Sequence, residues 1–367
     1  MRHATIMAGG SGTRLWPVSR AGQPKQLVPF IQQPKGPPVS LLQIAAGRLD
    51  GLVPEANQTI CTGEAYGDQI EAALPQFRGD RLLGEPCPRD TVNAVGFAAA
   101  VFAKRDPDAV FAVLTADHII EPQESFAKAM DAGFALAEAD PTRMVSFGII
   151  PDHPATGFGY IENAGPIDGD PSGLGFEIAR FVEKPPLDKA KEYLESGKFS
   201  WNAGMFVFHA QTFLERLEAH QPESFAGLKK LQDAWDTPLQ NATLAEVYPT
   251  LPKISVDYAI MEPCGADPAV KLTGVKMDVQ WLDVGSWPSY GETIAPDATG
   301  NRAAGGPIAV YDSSGNVVVS DDPERTIALV GCDDLVVVHT ARATLVMPKD
   351  RAQDLKKLHA ELPDELK

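Results

Sequence analysis

Cysteine is scarce: the 367 residues hold four, Cys61, Cys87, Cys264 and Cys332, and no two form a C-x-x-C pair. That spacing argues against a disulfide framework and against a zinc site, and it leaves isolated reduced thiols. Long apolar runs are missing as well. The longest, residues 94–103, is followed by Lys104-Arg105, well short of the roughly 20 apolar residues that cross a bilayer. The chain reaches its first glycines before any apolar stretch of useful length, so no secretion signal is read and a cytoplasmic protein is expected. Positive charge is in short supply: 32 Lys and Arg stand against 49 Asp and Glu, a formal net charge of -17. An acidic surface repels nucleic acid and anionic membranes, which removes both as expected partners. A polyphosphate ligand would then have to be met by a few local cations or a metal ion. Two familiar phosphate signatures are absent. There is no G-x-x-x-x-G-K-[ST], and a G-x-G-x-x-G register fails because positions 10, 12 and 15 read Gly, Gly, Leu.

What the chain does have, up to about residue 150, is alternation. Thr5-Ile6-Met7, Thr59-Ile60-Cys61, Arg81-Leu82-Leu83, residues 110–114 and residues 144–149 read as strands. Residues 41–49, 66–74, 92–103 and 125–138 read as helices between them. Such alternation predicts an α/β fold, Rossmann-like, with a mixed, mainly parallel sheet. The run Val110-Phe111-Ala112-Val113-Leu114 reads as a strand buried on both faces. Open sheets of this kind bind ligands at the carboxyl ends of their strands. Glu85, Asp117 and the glycines after strand one are therefore expected on one edge. From about 150 to 290 short strands and helices are separated by Gly, Trp and Asn, which suggests binding loops on a rigid frame. Beyond about 295, five short Val- and Leu-rich strands and a closing helix at 350–362 predict a small β unit. It lacks a strict hexapeptide repeat, so only a short β-helix-like stack is expected. The domain boundary is placed between 1–294 and 295–367.

The stretch Met7-Ala8-Gly9-Gly10-Ser11-Gly12-Thr13-Arg14-Leu15-Trp16-Pro17, followed by Pro24-Lys25-Gln26, carries the chemistry. Three glycines in four residues let backbone N–H groups converge on an anion. Arg14 and Lys25 add charge conspicuous against an acidic background. A glycine loop alone supports only a tight turn.

With its neighbours, Gly9 to Leu15 and Pro24-Lys25 resemble the signature of the sugar-phosphate nucleotidylyltransferases, and Trp16-Pro17, Ser19-Arg20 and Lys25-Gln26 resemble the mannose-1-phosphate guanylyltransferase branch. The resemblance continues through Glu85-Pro86 with Arg89 and Thr91, Thr115-Ala116-Asp117-His118, and Thr156-Gly157-Phe158-Gly159-Tyr160-Ile161. It ends with Phe181-Val182-Glu183-Lys184-Pro185, Trp201-Asn202-Ala203-Gly204-Met205-Phe206, Ser255 to Glu262, and Trp281-Leu282-Asp283-Val284-Gly285-Ser286-Trp287. These motifs fall in family order from residue 2 to about 350. Two positions depart from the pattern: Asp90 stands where the family commonly has Asn, and Val92-Asn93 replaces Ala-Pro.

The resemblance implies a nucleotidyltransferase fold of GT-A-like type and the reaction of GTP with mannose 1-phosphate to give GDP-mannose and pyrophosphate. Arg14 and Lys25 would clamp the triphosphate and stabilise the leaving group. Ala8, Gly9, Gly10, Ser11, Gly12 and Thr13 would hold the nucleotide phosphates. Glu85 would accept from the guanine edge, supported by Arg89 and Thr91. Gly157, Glu183, Lys184, Asn202 and Asp257 would bind the sugar phosphate, and Asp117 and Asp283 would hold Mg²⁺. His118 would support Asp117 or pack. Trp201, Trp281 and Trp287 are read as packing residues in preference to a carbohydrate platform. Transfer with another nucleotide or sugar, or a non-catalytic sensor of GDP-mannose, are the rival readings. A homodimer stays open. His339 and His359 form no metal set, so no isomerase activity is expected.

Overall fold

The computed structural model describes residues 1–10, 12–33 and 35–367; Ser11, one of the residues assigned to the phosphates, lies outside them. Packing divides the chain into two units. The first comprises Met1–Gly9, Ala45–Thr115 and Ile120–Trp281, and the second Gly10–Ile44, Ala116–Ile119 and Leu282–Lys367.

The first unit is built on a nine-stranded sheet. Its strands are β1 (Arg2–Met7), β2 (Gln58–Gly63), β3 (Leu82–Glu85), β4 (Val110–Thr115), β5 (Arg143–Ile149), β6 (Tyr160–Pro166), β7 (Gly175–Val182), β8 (Phe199–His209) and β9 (Lys271–Lys276). They lie in the order β3-β2-β1-β4-β8-β5-β9-β7-β6. β1, β2, β3 and β4 are mutually parallel, as are β5 and β9. Of these strands only β8 and β7 run the other way, each antiparallel to its neighbours. The sheet is thus mixed and mainly parallel. β4 pairs on both sides and is buried from Val110 to Leu114, which explains its unbroken apolar sequence.

Helix Asp90–Arg105 follows β3 and is buried from Val92 to Phe102. Its alanines let it lie close to the sheet, while Phe97 and Phe102 fill the gaps beside Phe111, Phe208 and Phe213 in a single core. Each such phenyl group contributes roughly 1.5–3 kcal/mol on burial. β8 runs from Phe199, well before the apolar stretch 205–208 that marks it in sequence. Its polar start, Ser200-Trp201-Asn202, hides the strand from a periodicity argument. The same strand carries Trp201 and Asn202 on a rigid element instead of a loop. Residues 257–261 form a π-helical turn, Asp257–Met261, which has no sequence periodicity of its own.

The second unit holds β10 (Arg302–Ala304), β11 (Ile308–Tyr311), β12 (Val317–Ser320), β13 (Ile327–Val330), β14 (Leu335–His339) and β15 (Thr344–Pro348). β10, β12 and β14 stack in parallel, β15 closes them antiparallel, and β11 pairs in parallel with β13. These are successive coils of a short β-helix. Two buried asparagines tie the coils together. Asn316 Nδ2 donates to Asn301 Oδ1 and to Cys332 O at 2.8 Å each, and Asn316 Oδ1 accepts from Leu335 N at 2.9 Å. The core beneath them joins Val317, Val319, Val336 and Val338 to Leu15, Trp16, Trp287 and Tyr290. The glycine-loop segment therefore packs with the C-terminal strands. Among the described residues no helix is long and apolar enough to cross a membrane.

Candidate active site

In the second unit Gly12, Arg14, Lys25, Asp117 and Asp283 lie together, whereas Ala8 and Gly9 of the same predicted set belong to the first unit. Gly12 sits at φ 62°, the left-handed region. A Cβ there would stand 2.8 Å from both Cβ and Cγ of Lys25, so glycine is required on two counts. The Lys25 stem is pinned against the loop and the side chain is nearly buried. Its ammonium lies 2.8 Å from Asp117 Oδ2 and donates to Val284 O at 3.1 Å. Val284 N in turn donates to Asp117 O at 3.1 Å, which joins the Asp117 backbone to the residue after Asp283. A Cβ on Gly285 would fall 3.2 Å from Arg14 Nη2 and 3.2 Å from Asp283 Oδ1, so this glycine sits between a cation and a carboxylate. Arg14 also donates to Gln353 Oε1 at 3.3 Å.

The carboxyl of Asp117 is pulled two ways. Burial pushes its pKa up, but the charge and hydrogen bond of Lys25, with His118 nearby, hold it well below the usual carboxylate range. His118 Nε2 stands 3.7 Å from Asp117 Oδ1. The carboxylate is therefore ionised at neutral pH. Asp117 and Asp283 offer hard anionic oxygens beside two cations that suit phosphate, a donor set that fits Mg²⁺ shared with a substrate. Thr13 opens a 3₁₀ turn, Thr13–Leu15, whose Leu15 N bonds back to Gly12 O at 2.9 Å.

In the first unit the strand ends carry two further groups. Ala8 uses its N–H on Cys61 O at 2.8 Å and its carbonyl on Thr62 Oγ1 at 3.1 Å. It thus seats the loop on β2, and its N–H is spoken for by protein. Glu85 ends β3 and is buried. Its Oε1 accepts from Tyr248 Oη at 2.6 Å, while a Cβ on Gly9 would lie 3.8 Å from Oε2. Tyr248 thus occupies one of the two carboxylate oxygens. Burial raises the Glu85 pKa, Tyr248 opposes that, and the charge of Asp90 adds to it. Thr91 Oγ1 accepts from Val256 N at 2.9 Å, and Asn93 Nδ2 donates to Arg89 O and Pro252 O at 2.8 and 2.6 Å. Thr91 and the atypical Asn93 therefore brace the segment. Asp90 takes the left-handed conformation at φ 64°, a region in which Asn and Asp are the most tolerant non-glycine residues. Arg89 Nε is buried and makes no hydrogen bond among the described residues.

Glu183, Lys184, Asn202 and Asp257 form the second group. Asn202 Nδ2 donates to Asp257 Oδ1 at 2.9 Å, and Ser146 Oγ donates to Asn202 Oδ1 at 3.0 Å. Lys184 Nζ bonds to Glu183 Oε1. Burial lowers the Lys184 pKa, but Glu183 more than offsets it and the net change is upward. Lys184 adopts φ 47°, in the left-handed region that non-glycine residues seldom occupy. Asp257 titrates at about 7, raised first by burial and then by the Glu183 charge. Gly157 has open space around it, whereas a Cβ on Gly159 would stand 2.6 Å from Glu183 Oε2 and 3.2 Å from Asn202 Cβ. Trp201 packs edge-on to His153 and Phe158 and tilted to Trp281. Trp287 is buried and donates to Trp16 O at 2.9 Å. Sequence reasoning missed Tyr248, Gly159 and the Val284 carbonyl. For Gly159 the T-G-F-G-Y-I segment held a usable signal.

A mainly parallel α/β sheet, a glycine loop after its first strand, and a nearly buried lysine paired with a carboxylate are the features of a nucleotide-handling transferase. The chain belongs to the nucleotidyl transferase family, which matches residues 3–299, in its mannose-1-phosphate guanylyltransferase branch. A second match, to the MannoseP isomerase/GMP-like beta-helix domain, covers residues 306–362. A mannose-1-phosphate guanylyltransferase of Escherichia coli K12 is 37% identical over 97% of this chain and 72% of its own length. One of Klebsiella pneumoniae is 36% identical over 96% of this chain and 72% of its own length. The crystal structure of a Thermus thermophilus protein described as a mannose-1-phosphate geranyltransferase is 31% identical, with a TM-score of 0.83, covering 97% of this chain and 98% of that one.

Proposed function

We propose that the chain is a cytoplasmic enzyme that transfers GMP from GTP to α-D-mannose 1-phosphate, releasing pyrophosphate. A phosphate oxygen of the sugar attacks the α-phosphorus, and the bond to the bridging oxygen of the leaving pyrophosphate breaks in line. Such a transfer needs positioning and charge neutralisation more than covalent help. The observation that carries the reading is the clustering of Gly12, Arg14, Lys25, Asp117 and Asp283. Arg14 and Lys25 neutralise the charge that grows on the pyrophosphate. Asp117 and Asp283 would hold Mg²⁺, which when bound supplies further charge neutralisation to the phosphates. Glu85 reads the base through Oε2. Glu183, Asn202 and Asp257 hold sugar hydroxyls, and Lys184 meets the sugar phosphate. The names of the relatives support the choice of substrates.

The test is pyrophosphate release from GTP, ATP, UTP and dTTP against mannose and glucose 1-phosphates, with and without Mg²⁺. Turnover is expected to be fastest with GTP, mannose 1-phosphate and Mg²⁺ together. Faster turnover with a pyrimidine nucleotide would overturn the guanylyl assignment.

A further inference from the structure

Tyr248 lies 163 residues from Glu85 in sequence and belongs to none of the motifs. Its side chain is wholly buried, with the ring tilted on Phe97 at 5.7 Å. A phenol in that position is tolerated only if its hydroxyl finds a partner, since burying an unpaired hydroxyl is costly. Phenylalanine would otherwise fill the same space. The partner is Glu85 Oε1 at 2.6 Å, a charge-assisted bond at the short end of its range. Glu85 Oε2 is the oxygen that faces Gly9 of the loop, 3.8 Å from where a Cβ there would stand.

The segment that carries Tyr248 is stitched to the segment after Glu85. Pro252 O takes Asn93 Nδ2 at 2.6 Å, Ile254 O takes Val92 N at 3.3 Å, and Val256 N gives to Thr91 Oγ1 at 2.9 Å. Tyr248 therefore cannot drift from Glu85 without breaking bonds to the helix that starts beside it. The arrangement locks one carboxylate oxygen and aims the other.

We propose that Tyr248 is a positioning residue for base selection: by holding Glu85 Oε1 it presents Oε2 alone, in a fixed direction, to the N–H donors of a guanine. The proposal rests on Glu85 being the base contact. Adenine carries an acceptor at N1, where guanine carries a donor, so a fixed carboxylate oxygen discriminates between them. A carboxylate free to rotate would let water or a tilted base relieve the mismatch.

The experiment compares kcat/KM for GTP and for ATP, each with mannose 1-phosphate, in the wild type, Tyr248→Phe and Glu85→Gln. Tyr248→Phe keeps the ring and its packing on Phe97, so the fold persists, and a thermal melt verifies it. Tyr248→Phe is expected to lower the preference for GTP over ATP about tenfold, the factor that one hydrogen bond to a charged group commands. The change is expected in KM for GTP, with kcat at saturation within about twofold, a split that loss of packing would not produce. Glu85→Gln is expected to lower the preference at least as far, and the double variant no further than Glu85→Gln alone. If Glu85→Gln abolishes the preference and Tyr248→Phe leaves it intact, Tyr248 only fills the core and the proposal is wrong. If Glu85→Gln itself leaves the preference intact, Glu85 is not the base contact and the reading beneath the proposal fails instead.

Discussion

Asp257 allows a prediction with its magnitude worked from the site. Its carboxyl titrates at about 7 in the folded protein against an ordinary 3.8, because burial and the Glu183 charge disfavour the anion more than Lys184, the backbone and Asn202 favour it. The difference is about three pH units, equivalent to at most roughly 4 kcal/mol of stability. Below pH 4 the group is neutral in both folded and unfolded chains. Between about pH 4 and 7 the unfolded chain gives up the proton while the folded chain keeps it. Stability contributed by this carboxyl is thus fully present below pH 4 and is lost as pH rises toward 7. Above that the loss is complete and constant. Asp257→Asn cannot ionise and keeps the oxygen that accepts from Asn202, so it escapes the loss. The variant's stability relative to wild type should grow by roughly 2–3 kcal/mol from pH 5 to pH 8. Urea unfolding of both proteins at each pH measures this, and taking the difference cancels every other titrating group. A difference that stays constant from pH 5 to 8 would refute the reasoning, since Asp257 would then be an anion in the folded state throughout.

Three further outcomes follow from the geometry. Gly159→Ala puts a methyl group 2.6 Å from Glu183 Oε2, so KM for mannose 1-phosphate should rise about tenfold or more by displacement of that carboxylate, while Gly157→Ala stays near wild type; equal KM values in steady-state assays would deny the close approach a role. Lys25→Met removes the cation that sits 2.8 Å from Asp117 Oδ2: pyrophosphate release should slow by about 10²–10³-fold, and Mn²⁺ in the absence of nucleotide should bind more tightly in a calorimetric titration, because Asp117 is no longer neutralised. Asn316→Ala strips Leu335 N of its acceptor and takes one donor each from Cys332 O and from Asn301 Oδ1, which keeps its bond from Asn316 N, and should destabilise the β-helix coils by about 2–4 kcal/mol; a melting temperature equal to wild type would show that the ladder does not hold them.

Much of this architecture is legible in residue order alone. Buried parallel strands write continuous apolar runs, so β4 and the sheet around it are visible, and with them the expectation that Glu85 and Asp117 follow strand ends. The glycine loop, Arg14 and Lys25 are visible because cations are rare in this chain. What stays hidden is whatever depends on a partner far off in sequence. Nothing near Tyr248 announces that its hydroxyl meets Glu85, and nothing near Val284 announces that its carbonyl receives Lys25. Asp257 opens a π-helical turn, a form with too few residues to leave a period. The start of β8 is masked by the polar residues that make it useful. Gly159 and Gly157 look alike in sequence, and only the position of the Glu183 side chain separates them.

The second unit bears on how such a site stays rigid. Arg14 lies between Gly12, at a left-handed φ, and Leu15 and Trp16, which are buried in the same core as Val317, Val319, Val336 and Val338 of the β-helix. Trp16 Nε1 donates to Leu366 O at 2.7 Å, and Trp16 O accepts from Trp287 Nε1. Val284, whose carbonyl holds Lys25, is part of that core as well. A loop of glycines has high conformational freedom and would by itself spread its cations over many positions. Anchoring the residue after Arg14 and the acceptor of Lys25 in one apolar core removes that freedom before any ligand arrives. The entropy cost of ordering residues 14–16 is met during folding, by burial of Leu15, Trp16 and Trp287, and would not recur at each binding event. The C-terminal strands therefore support the proposed site in an energetic sense, although none of their residues is among its predicted members.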